Sequence, residues 1–558
     1  MVEFLDACHS NHAKCLQATN DHIILPSRFV DVGSCDGKKE PRLISSTEVS
    51  TIERYTTLSH CWGTHPDNMP LRTTRATKVA HMVSMPMNTL PKTFRDAVSV
   101  TRALNIRYIW IDSLCIVQDD LEDWEQEAAK MASIYEGSFL TIAAADSPNS
   151  NGGLFLDNIT PPVHFNFTPR LPSGASLNTQ STASFRPLIR PRAGEDELHL
   201  QNAPLYKRGW AFQELTLSPR SIHFKEHQMY WKCHSGLRSE DGTLDEIEKE
   251  WNQSNIFSRS GGGIIDFSTP DNSRSTWWSW VYDFTTRSLT RPEDRVAAFT
   301  GMLRYFQRVT GDTPMLGLWE KSFIPDLYWS IVCGAENVVL TGPSWSWLFH
   351  PEQVISIEDY YAWSESESEK YEPRLEDFDI KWIGSPFTSK LFSSTIYVSG
   401  VIRSFRIIAS QDHGFFEAVR SEEIDSWHSA EADCTMDDGS KLFIGLEIMC
   451  LFMSYSTENL DTDGPNGELI LDFRRWEHFL IICSSHPSGP SASMPTLVSD
   501  SDHTKPAAYR RLGVGSFEVR LVPKQKWAEK LDREYDNTSW PNPPLMFDGT
   551  ERVTIELV

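Results

Sequence analysis

Hydrophobic positions between residues 90 and 147 first recur at helical spacing and then form short continuous runs. Pro91 suits the first turn of a helix, where its missing N–H would have no partner in any case. The apolar positions that follow at helical spacing are Phe94, Ala97, Val98, Thr101 and Leu104. The apolar run from 108 to 111 is typical of a strand covered on both faces. A helix from about 120 to 135 and a second buried strand follow, so the pattern predicts an α/β fold.

Two acidic side chains stand where this pattern requires apolar ones. Asp112 ends the first buried strand, and acids at the carboxyl ends of such strands commonly line the site in an open α/β sheet. Glu127 follows Trp124 by three residues, so it lies inside the apolar stripe of its helix. A carboxylate there needs a cation or hydrogen-bond donors, or its pKa rises. Glu127 is therefore a candidate functional group, and a structural ion pair, for example with Arg208, is the alternative.

Two further segments combine aromatic and polar residues in the same way. Residues 55–63, with the sequence YTTLSHCWG, predict a first strand that ends in Ser59, His60, Cys61, Trp62 and Gly63. Residues 205–224 predict a short helix and a strand. Trp210, Gln213 and Glu214 share one side of that helix.

These blocks resemble the signature blocks of the fungal heterokaryon incompatibility (HET) domain. The matching pieces are LSHCWG, LPKTFRDA with YIWIDSLCIVQDDLEDWEQEAAKMASIY, and RGWAFQE. GLFLD, LTRPEDRVAAFTGM, GLWEKSFIPDLYW and GPSWSWLFH resemble flanking regions of full-length members, so the resemblance covers about residues 50–350 in pieces. His60 departs from the pattern, since many members carry an aromatic residue there.

The resemblance implies both a fold and a function. HET domains are similar to the Toll/interleukin-1-receptor domain, which is a flavodoxin-like α/β sandwich, and they are associated with non-self recognition and programmed cell death. Some Toll/interleukin-1-receptor-like domains cleave NAD with a glutamate carried by a helix. Glu127 occupies the corresponding helix here, so the resemblance implies a catalytic Glu127, with NAD as substrate and no cofactor.

The resemblance also implies roles for the other polar residues. Trp62 or Trp210 would stack on a base or on the nicotinamide ring, and Arg208 would meet the pyrophosphate or neutralise a neighbouring glutamate. Asp112 and Gln118 would orient hydroxyl groups or water. The remaining candidate substrate-binding residues are Ser59, Trp124, Gln213 and Glu214. Each tryptophan has a core position as its alternative.

Cys115 is a second candidate catalytic group. It follows Asp112 in the central block and, as a thiolate beside His60 or His234, could act as a nucleophile. The alternative is a small buried hydrophobic side chain, which is the usual role of an unpaired cysteine.

Four potential metal ligands lie close together at the N-terminus: Cys8, His9, His12 and Cys15. Their spacing fits no common zinc finger, and both ligand pairs would have to come from one short segment. We therefore expect no metal site.

Composition limits the partners and the location of the protein. A net charge of −24 argues against nucleic acid, which requires a basic patch. No apolar run approaches the roughly 18 residues that a membrane helix requires, and the N-terminus lacks the profile of a signal peptide. Ten cysteines spread over 558 residues do not predict a disulfide framework. The cytoplasm is the expected location.

The sequence predicts four regions. Residues 1–45 form an N-terminal lead with a short strand near 23–25, and residues 46–225 form the HET-like α/β core, with an insertion at about 146–200 that is rich in serine, threonine, proline and asparagine. Residues 226–350 are predicted to be helical, with candidate helices at 281–289, 293–306 and 319–332. Residues 351–558 are predicted to be β-rich, with alternating runs at 395–402, 442–452, 468–472, 479–483 and 516–522.

Three functions remain compatible with the sequence. The first is a cell-death effector whose HET core cleaves NAD. The second is the same biological role without catalysis, in which the core binds an incompatibility partner protein or a second copy of the chain. The third is a small-molecule enzyme, for instance of secondary metabolism, that uses the same cleft.

Overall fold

A computed structural model describes the chain with gaps. The described residues are 2–12, 15, 24–34, 37–49, 52, 54–63, 69–155, 163–168, 181–185, 203–226, 228–234, 236–240, 269–331, 342–356, 373–384, 386–387, 389–410, 415–420, 430–436, 447–463, 469–484, 507–521, 547 and 550–558. They fall into two compact units. Unit 1 comprises Met1–Thr269 and Thr286–Arg304, and unit 2 comprises Pro270–Thr285 and Tyr305–Val558.

Unit 1 alternates strands with helices. Its strands are β1 (Arg28–Asp31), β2 (Arg42–Ser45), β3 (Tyr55–Ser59), β4 (Tyr108–Trp110), β5 (Leu140–Ala143), β6 (Val163–Phe167), β7 (Ser181–Phe185), β8 (Arg220–Phe224), β9 (Met229–Cys233) and β10 (Gly236–Ser239). Its helices are α1 (Val2–Asn11), α2 (Lys78–Val83), α3 (Lys92–Ala103), α4 (Asp112–Cys115), α5 (Leu121–Ala128), α6 (Met131–Glu136) and α7 (Gly209–Thr216). Short 3-10 turns lie at Ser46–Glu48, Met87–Thr89, Pro204–Lys207 and Pro292–Asp294.

Eight of these strands form one mixed sheet in the order β10-β9-β8-β5-β3-β4-β1-β2. The four central strands, β8, β5, β3 and β4, are parallel, and the two strands at each edge run antiparallel to their neighbours. The mixed α/β class predicted from the sequence is therefore confirmed. Because the sheet continues through β9 and β10, it extends beyond residue 225, where the sequence placed the end of the core.

The central strand β3 is buried along its whole length although it carries polar side chains. Its threonines are paired inside the core. Thr56 Oγ1 lies 2.8 Å from Thr101 Oγ1 on α3, and Thr57 Oγ1 lies 2.7 Å from Thr141 Oγ1 on β5. Because buried polar groups must find hydrogen-bond partners, these pairs set the position of β3 relative to α3 and β5.

Two predicted elements of unit 1 differ in the structure. The helix predicted from 120 to 135 is interrupted between α5 and α6 at Ala129 and Lys130, and the Lys130 ammonium folds back onto Glu127 at this point. The strand predicted at 23–25 lies further along the chain as β1, because the apolar positions that pair with β4 begin there. Val30 is opposite Ile109, whereas Ile24 is exposed.

The predicted insertion at 146–200 contains a hairpin, in which β6 pairs with β7 in antiparallel register. The other residues between 156 and 202 lie outside the described part of the chain, apart from position 168.

Unit 2 contains α8 (Pro270–Thr285), α10 (Phe323–Asp326) and the last six residues of α9 (Arg295–Thr310). Trp277, Phe306 and Trp319 form an aromatic core here, with ring centroids 4.4 to 5.0 Å apart. Two of the three predicted helices of this region correspond to α8 and α9.

The third, predicted at 319–332, is wrong. The 3-10 turn Glu320–Ser322, the one-turn helix α10 and a strand occupy this stretch. Pro325 interrupts a helix that would run from 319, because proline has no N–H to donate to the Lys321 carbonyl. The buried Asp326 carboxylate accepts hydrogen bonds from Arg274, Trp278 and Ser322.

The β-rich character predicted for the C-terminal region is observed. The strands of unit 2 are β11 (Pro314–Met315), β12 (Leu318–Trp319), β13 (Trp329–Ile331), β14 (Val354–Ser356), β15 (Arg374–Trp382), β16 (Leu391–Ser410), β17 (Phe415–Arg420), β18 (Ala430–Met436), β19 (Glu447–Asp463), β20 (Leu469–Ser484), β21 (Ala507–Leu521) and β22 (Arg552–Leu557), with a 3-10 turn at Trp347–Phe349. An eight-stranded sheet has the order β15-β16-β17-β18-β21-β20-β19, and β22 pairs with β16 and β21. Since β19 also pairs with β16, six of these strands form a closed cycle of ladders.

Within the described part of the chain, no helix combines the length and the apolar character required to cross a membrane.

Gly301 on α9 allows this helix to approach α7 closely, and we expect Gly301→Ala to destabilise unit 1. A Cβ at this position would lie 2.5 Å from Gln213 Oε1 and 2.7 Å from the Cβ of Ala132. Alanine favours a helix by about 1 kcal/mol over glycine, but overpacking costs about 1–3 kcal/mol. We therefore expect urea unfolding to give a lower free energy of unfolding for Gly301→Ala. The exposed position Gln307 on the same helix provides the control Gln307→Ala. A Gly301→Ala protein more stable than wild type would contradict this packing.

Candidate functional site

The carboxyl ends of β3 and β4 bring two acidic side chains close to one arginine. Ser59 is the last residue of β3, and Asp112 follows the strand β4 and begins α4. Glu214 and Arg208 come from α7 and its N-cap position. We call Ser59, Asp112, Arg208 and Glu214 the carboxylate cluster. All four were predicted as site residues from the sequence, and the structure brings them together.

Glu214 is buried, with 2% of its surface exposed. Ser59 Oγ donates a 2.5 Å hydrogen bond to Glu214 Oε2. Burial raises the pKa of Glu214 to about 7, since the Asp112 charge adds to this effect while Arg208, Ser59 and Tyr135 oppose it only in part. Near neutral pH this carboxyl group is therefore present in both its protonated and its ionised form.

Asp112 is held by donors on two sides. Trp62 Nε1 donates to Oδ2 at 2.9 Å, and the Ser113 backbone N–H donates to Oδ1 at 2.7 Å. Burial raises the pKa of Asp112, and Arg208 is the largest influence that lowers it. The Asp112 side chain keeps 15% of its surface exposed, so it is more accessible than Glu214.

Arg208 supplies the positive charge of the cluster. Its guanidinium lowers the pKa of both carboxyl groups, and its Nη1 donates to the backbone carbonyl of His60. The backbone on either side is fixed, because Gly209 N–H donates to Ser288 O at 2.8 Å and Ser288 N–H donates to Lys207 O at 2.6 Å. One fixed cation therefore compensates two acids that would otherwise repel each other in a desolvated site.

His60 and Tyr135 border the cluster, and sequence reasoning assigned neither a definite role. Burial lowers the pKa of His60 to about 3, so its ring is neutral, and its edge packs on Phe94 with ring centroids 5.0 Å apart. Tyr135 on α6 bonds the Glu214 carboxyl group and the Leu58 carbonyl. Tyr135 lies in an apolar helical stripe, and the hydroxyl of a buried tyrosine needs a hydrogen-bond partner. This position was the sequence signal that could have identified it.

Glu127 is buried, with 1% of its surface exposed, as its position in the apolar stripe predicted. Its carboxylate accepts from Ser27 Oγ at 2.6 Å and from Lys130 Nζ at 2.8 Å. The Ser27 backbone N–H adds a contact of 3.1 Å to Oε2. Among the described residues its hydrogen-bond partners are therefore Ser27 and Lys130, whereas Arg208 donates to the His60 carbonyl. This arrangement ties α5 to the segment that leads into β1.

Cys115 and Gln118 have local structural contacts. Burial raises the pKa of Cys115 to about 12, so its thiol is protonated at neutral pH and is a poor nucleophile. The Cys115 carbonyl accepts a hydrogen bond from Arg28 Nε at 2.7 Å. Gln118 Nε2 donates to the carbonyls of Asp112 at 3.1 Å and Ile116 at 3.2 Å, so it supports the loop that carries Asp112.

The remaining predicted residues pack around α7. Trp124 and Trp210 meet edge to face with centroids 6.5 Å apart, and Trp210 also bonds the Asp294 side chain. Gln213 is buried, and its Oε1 lies against Gly301. Among the predicted tryptophans, Trp62 is the one that bonds a member of the carboxylate cluster.

Comparison with known families identifies the central part of the chain. Residues 55–214 match the family model described as heterokaryon incompatibility protein (HET). This segment is a HET domain. The match begins at the first residue of β3 and ends at Glu214, so it spans every member of the carboxylate cluster. No curated protein and no solved structure gives a match to the chain.

The HET domain thus holds two carboxylates of different character beside one guanidinium. Asp112 is partly exposed and held by N–H donors, whereas Glu214 is enclosed and has a pKa of about 7. Pairs of carboxyl groups whose surroundings make them differ in exposure and pKa are typical of acid–base and glycosidic chemistry.

Glu214 makes the stability of the HET domain depend on pH, and Glu214→Gln tests this. The folded-state pKa of about 7 exceeds the ordinary value of 4.5, so the folded chain keeps a proton that the unfolded chain releases between these values. This contribution to stability is complete below pH 4.5 and is lost as the pH rises through 7. We expect the free energy of unfolding of wild type to fall relative to Glu214→Gln by about 1 kcal/mol for each pH unit in this window.

Urea unfolding of both proteins between pH 5 and 8 measures this difference. The buried histidines are the same in both proteins, so their titration cancels in the comparison. Parallel pH profiles for wild type and Glu214→Gln would contradict the assignment.

Proposed function

We propose that this chain acts in fungal non-self recognition as a cytoplasmic cell-death effector, and that its HET domain cleaves NAD at the nicotinamide–ribose bond. The observation that carries the proposal is the carboxylate cluster itself, in which the Arg208 charge lowers the pKa of both a partly exposed Asp112 and a buried Glu214 whose pKa is about 7.

The strand order supports a flavodoxin-like relationship. Numbered along the chain, the parallel strands β3, β4, β5 and β8 lie in the spatial order 2-1-3-4. This order matches the first four strands of the flavodoxin-like order 2-1-3-4-5, whose ligands bind outside the carboxyl ends of the strands at the switch between the first and third strands. The corresponding strands here are β3 and β5, and Ser59 ends β3.

Asp112 is the carboxylate that we assign to the ribose. Breaking the bond between C1′ and the nicotinamide nitrogen sends the electron pair to the ring nitrogen, and nicotinamide leaves neutral. Positive charge develops on the ribose, and a preorganised carboxylate stabilises it. Asp112 is positioned by Trp62 and Ser113 and is accessible to a ligand, and both properties suit this role.

Glu214 is the group that we assign to the proton. Water adds its oxygen to C1′ and releases one proton, which passes through the Ser59 hydroxyl to Glu214 and then to solvent. The 2.5 Å hydrogen bond from Ser59 to Glu214 provides this route, and a pKa of about 7 suits a general base at neutral pH. The products are ADP-ribose, nicotinamide and one proton.

This assignment differs from the one implied by family resemblance, which chose Glu127. The Glu127 carboxylate is neutralised by Lys130 and bonded by Ser27, which favours the structural alternative. Arg208 likewise serves the two acids of the cluster and the His60 carbonyl rather than a free pyrophosphate site.

The proposal predicts that the two acids of the cluster are required for NAD cleavage. We expect Asp112→Asn and Glu214→Gln each to lower kcat at least about 100-fold with purified full-length protein and NAD, because each removes a charge needed in the transition state. Glu125→Gln is the matched control, since Glu125 is an exposed acid on α5. Nicotinamide release measures the rate, and near-ultraviolet circular dichroism checks folding.

Two outcomes would overturn the assignment. If Glu127→Gln abolishes cleavage while the cluster variants remain active, the catalytic carboxylate is Glu127. If folded wild type releases no nicotinamide, and cell death on induction persists in Glu214→Gln with cellular NAD intact, then the HET domain acts through assembly or recognition.

The pH dependence of the reaction provides a separate prediction. Glu214 accepts a proton only when it is ionised, and an acid with a pKa of about 7 is protonated below that pH. We therefore expect kcat of wild type to rise about tenfold between pH 6 and pH 8 and Glu125→Gln to give the same profile. A kcat independent of pH over this range would exclude Glu214 as the base.

A further inference from the structure

A second group of reactive side chains lies away from the carboxylate cluster. Cys8 is on α1, His12 and Cys15 follow this helix, and Cys233 ends β9. Their ligand atoms all lie within 4.8 Å of one another. His12 Nδ1 is 3.4 Å from Cys233 Sγ and 3.9 Å from Cys15 Sγ.

The local backbone explains how one short segment supplies three of these groups. Cys8 and His12 are four residues apart, and the His12 N–H donates to the Cys8 carbonyl at 3.4 Å, so both side chains share a helical face. The Cys15 N–H donates to the His12 carbonyl at 3.0 Å, which keeps Cys15 close to His12. The fourth group, Cys233, lies 221 positions from His12.

We propose that Cys8, His12, Cys15 and Cys233 bind one Zn²⁺ ion. Zinc binds thiolate sulfur at about 2.3 Å and imidazole nitrogen at about 2.0–2.1 Å in a tetrahedron, which places neighbouring ligand atoms about 3.5–3.8 Å apart. The separations of 3.4 and 3.9 Å from His12 match this spacing. The sequence-based expectation of no metal site considered the N-terminal residues alone and could not include Cys233.

Arg220 supplies an independent reason. It lies directly opposite Cys233 in the β8–β9 ladder, so both side chains are on the same face of the sheet. Arg220 Nε donates to Cys8 Sγ at 3.2 Å, and Nη2 donates to the Cys15 carbonyl at 3.1 Å.

Arg220 is 7% exposed, and among the described residues no carboxylate pairs with it. A buried cation requires a compensating negative charge. Zn²⁺ with three thiolates and a neutral imidazole carries one net negative charge, which Arg220 balances. Its N–H group on Cys8 Sγ is also the kind of outer contact that orients a metal ligand.

Four protein ligands leave no open position, so the ion has a structural role. Cys8 and Cys15 are almost fully buried, and no disulfide joins the described cysteines. Zinc therefore attaches α1, His12 and Cys15 to strand β9 of the eight-stranded sheet, because the ligands come from both.

Metal analysis of the full-length protein, purified without added metal, tests the proposal. We expect about one zinc per chain in wild type and at least about tenfold less in Cys233→Ser and in Cys8→Ser. Cys115→Ser is the matched control, since Cys115 is an equally buried cysteine of the same unit, and it is expected to retain the zinc.

Measurements on wild type keep the test decisive if the variants do not fold. Exchange with Co²⁺ is expected to give the visible absorption of a tetrahedral cobalt–thiolate centre, and zinc removal by a chelator is expected to lower Tm. Folded wild type that holds no zinc and takes up no Co²⁺, a Cys8–Cys233 disulfide found by mass spectrometry, or equal zinc content in Cys233→Ser and wild type would each overturn the proposal.

Discussion

Compensation of buried charge by Arg208 is the interaction on which the HET domain depends. Asp112 and Glu214 both lie at the carboxyl ends of the central strands and both lose most of their hydration there. Without a cation the two acids would repel each other in a medium of low dielectric constant. Arg208 is held in position by its own bonds, because its guanidinium donates to the His60 carbonyl and Ser288 bonds the backbone on both sides of it.

This compensation is incomplete for Glu214. A pKa of about 7 means that Glu214 is less stable as an anion in the folded chain than in water. The domain therefore gives up stability at neutral pH that an apolar residue would supply, a cost typical of functional sites. Glu127 has different partners, since Ser27 and Lys130 donate hydrogen bonds to its carboxylate. Two equally buried glutamates of this domain are thus held by different groups.

The same principle links the carboxylate cluster to the proposed zinc site. Arg220 is a buried cation facing three cysteines, just as Arg208 is a cation facing two acids. In both places the sheet positions part of the site, because strand register pairs Arg220 with Cys233, Ser59 ends β3 and Asp112 follows β4. A HET domain of this form is built around desolvated charges that secondary structure holds in place.

The sequence by itself determined the elements and the candidate residues, because apolar periodicity and the polar residues that break it are local properties. It predicted β3, β4, α3 and α7, and it selected Asp112 and Glu214. The tertiary structure alone decided their partners. Lys130 stands three residues from Glu127 and was readable as a local ion pair, whereas Ser27 is 100 positions away. Strand order and register bring Ser59 to Glu214 across 155 positions of sequence, and His12 to Cys233 across 221. No local pattern encodes those distances, so the partners of these polar residues were decided only when the sheet assembled.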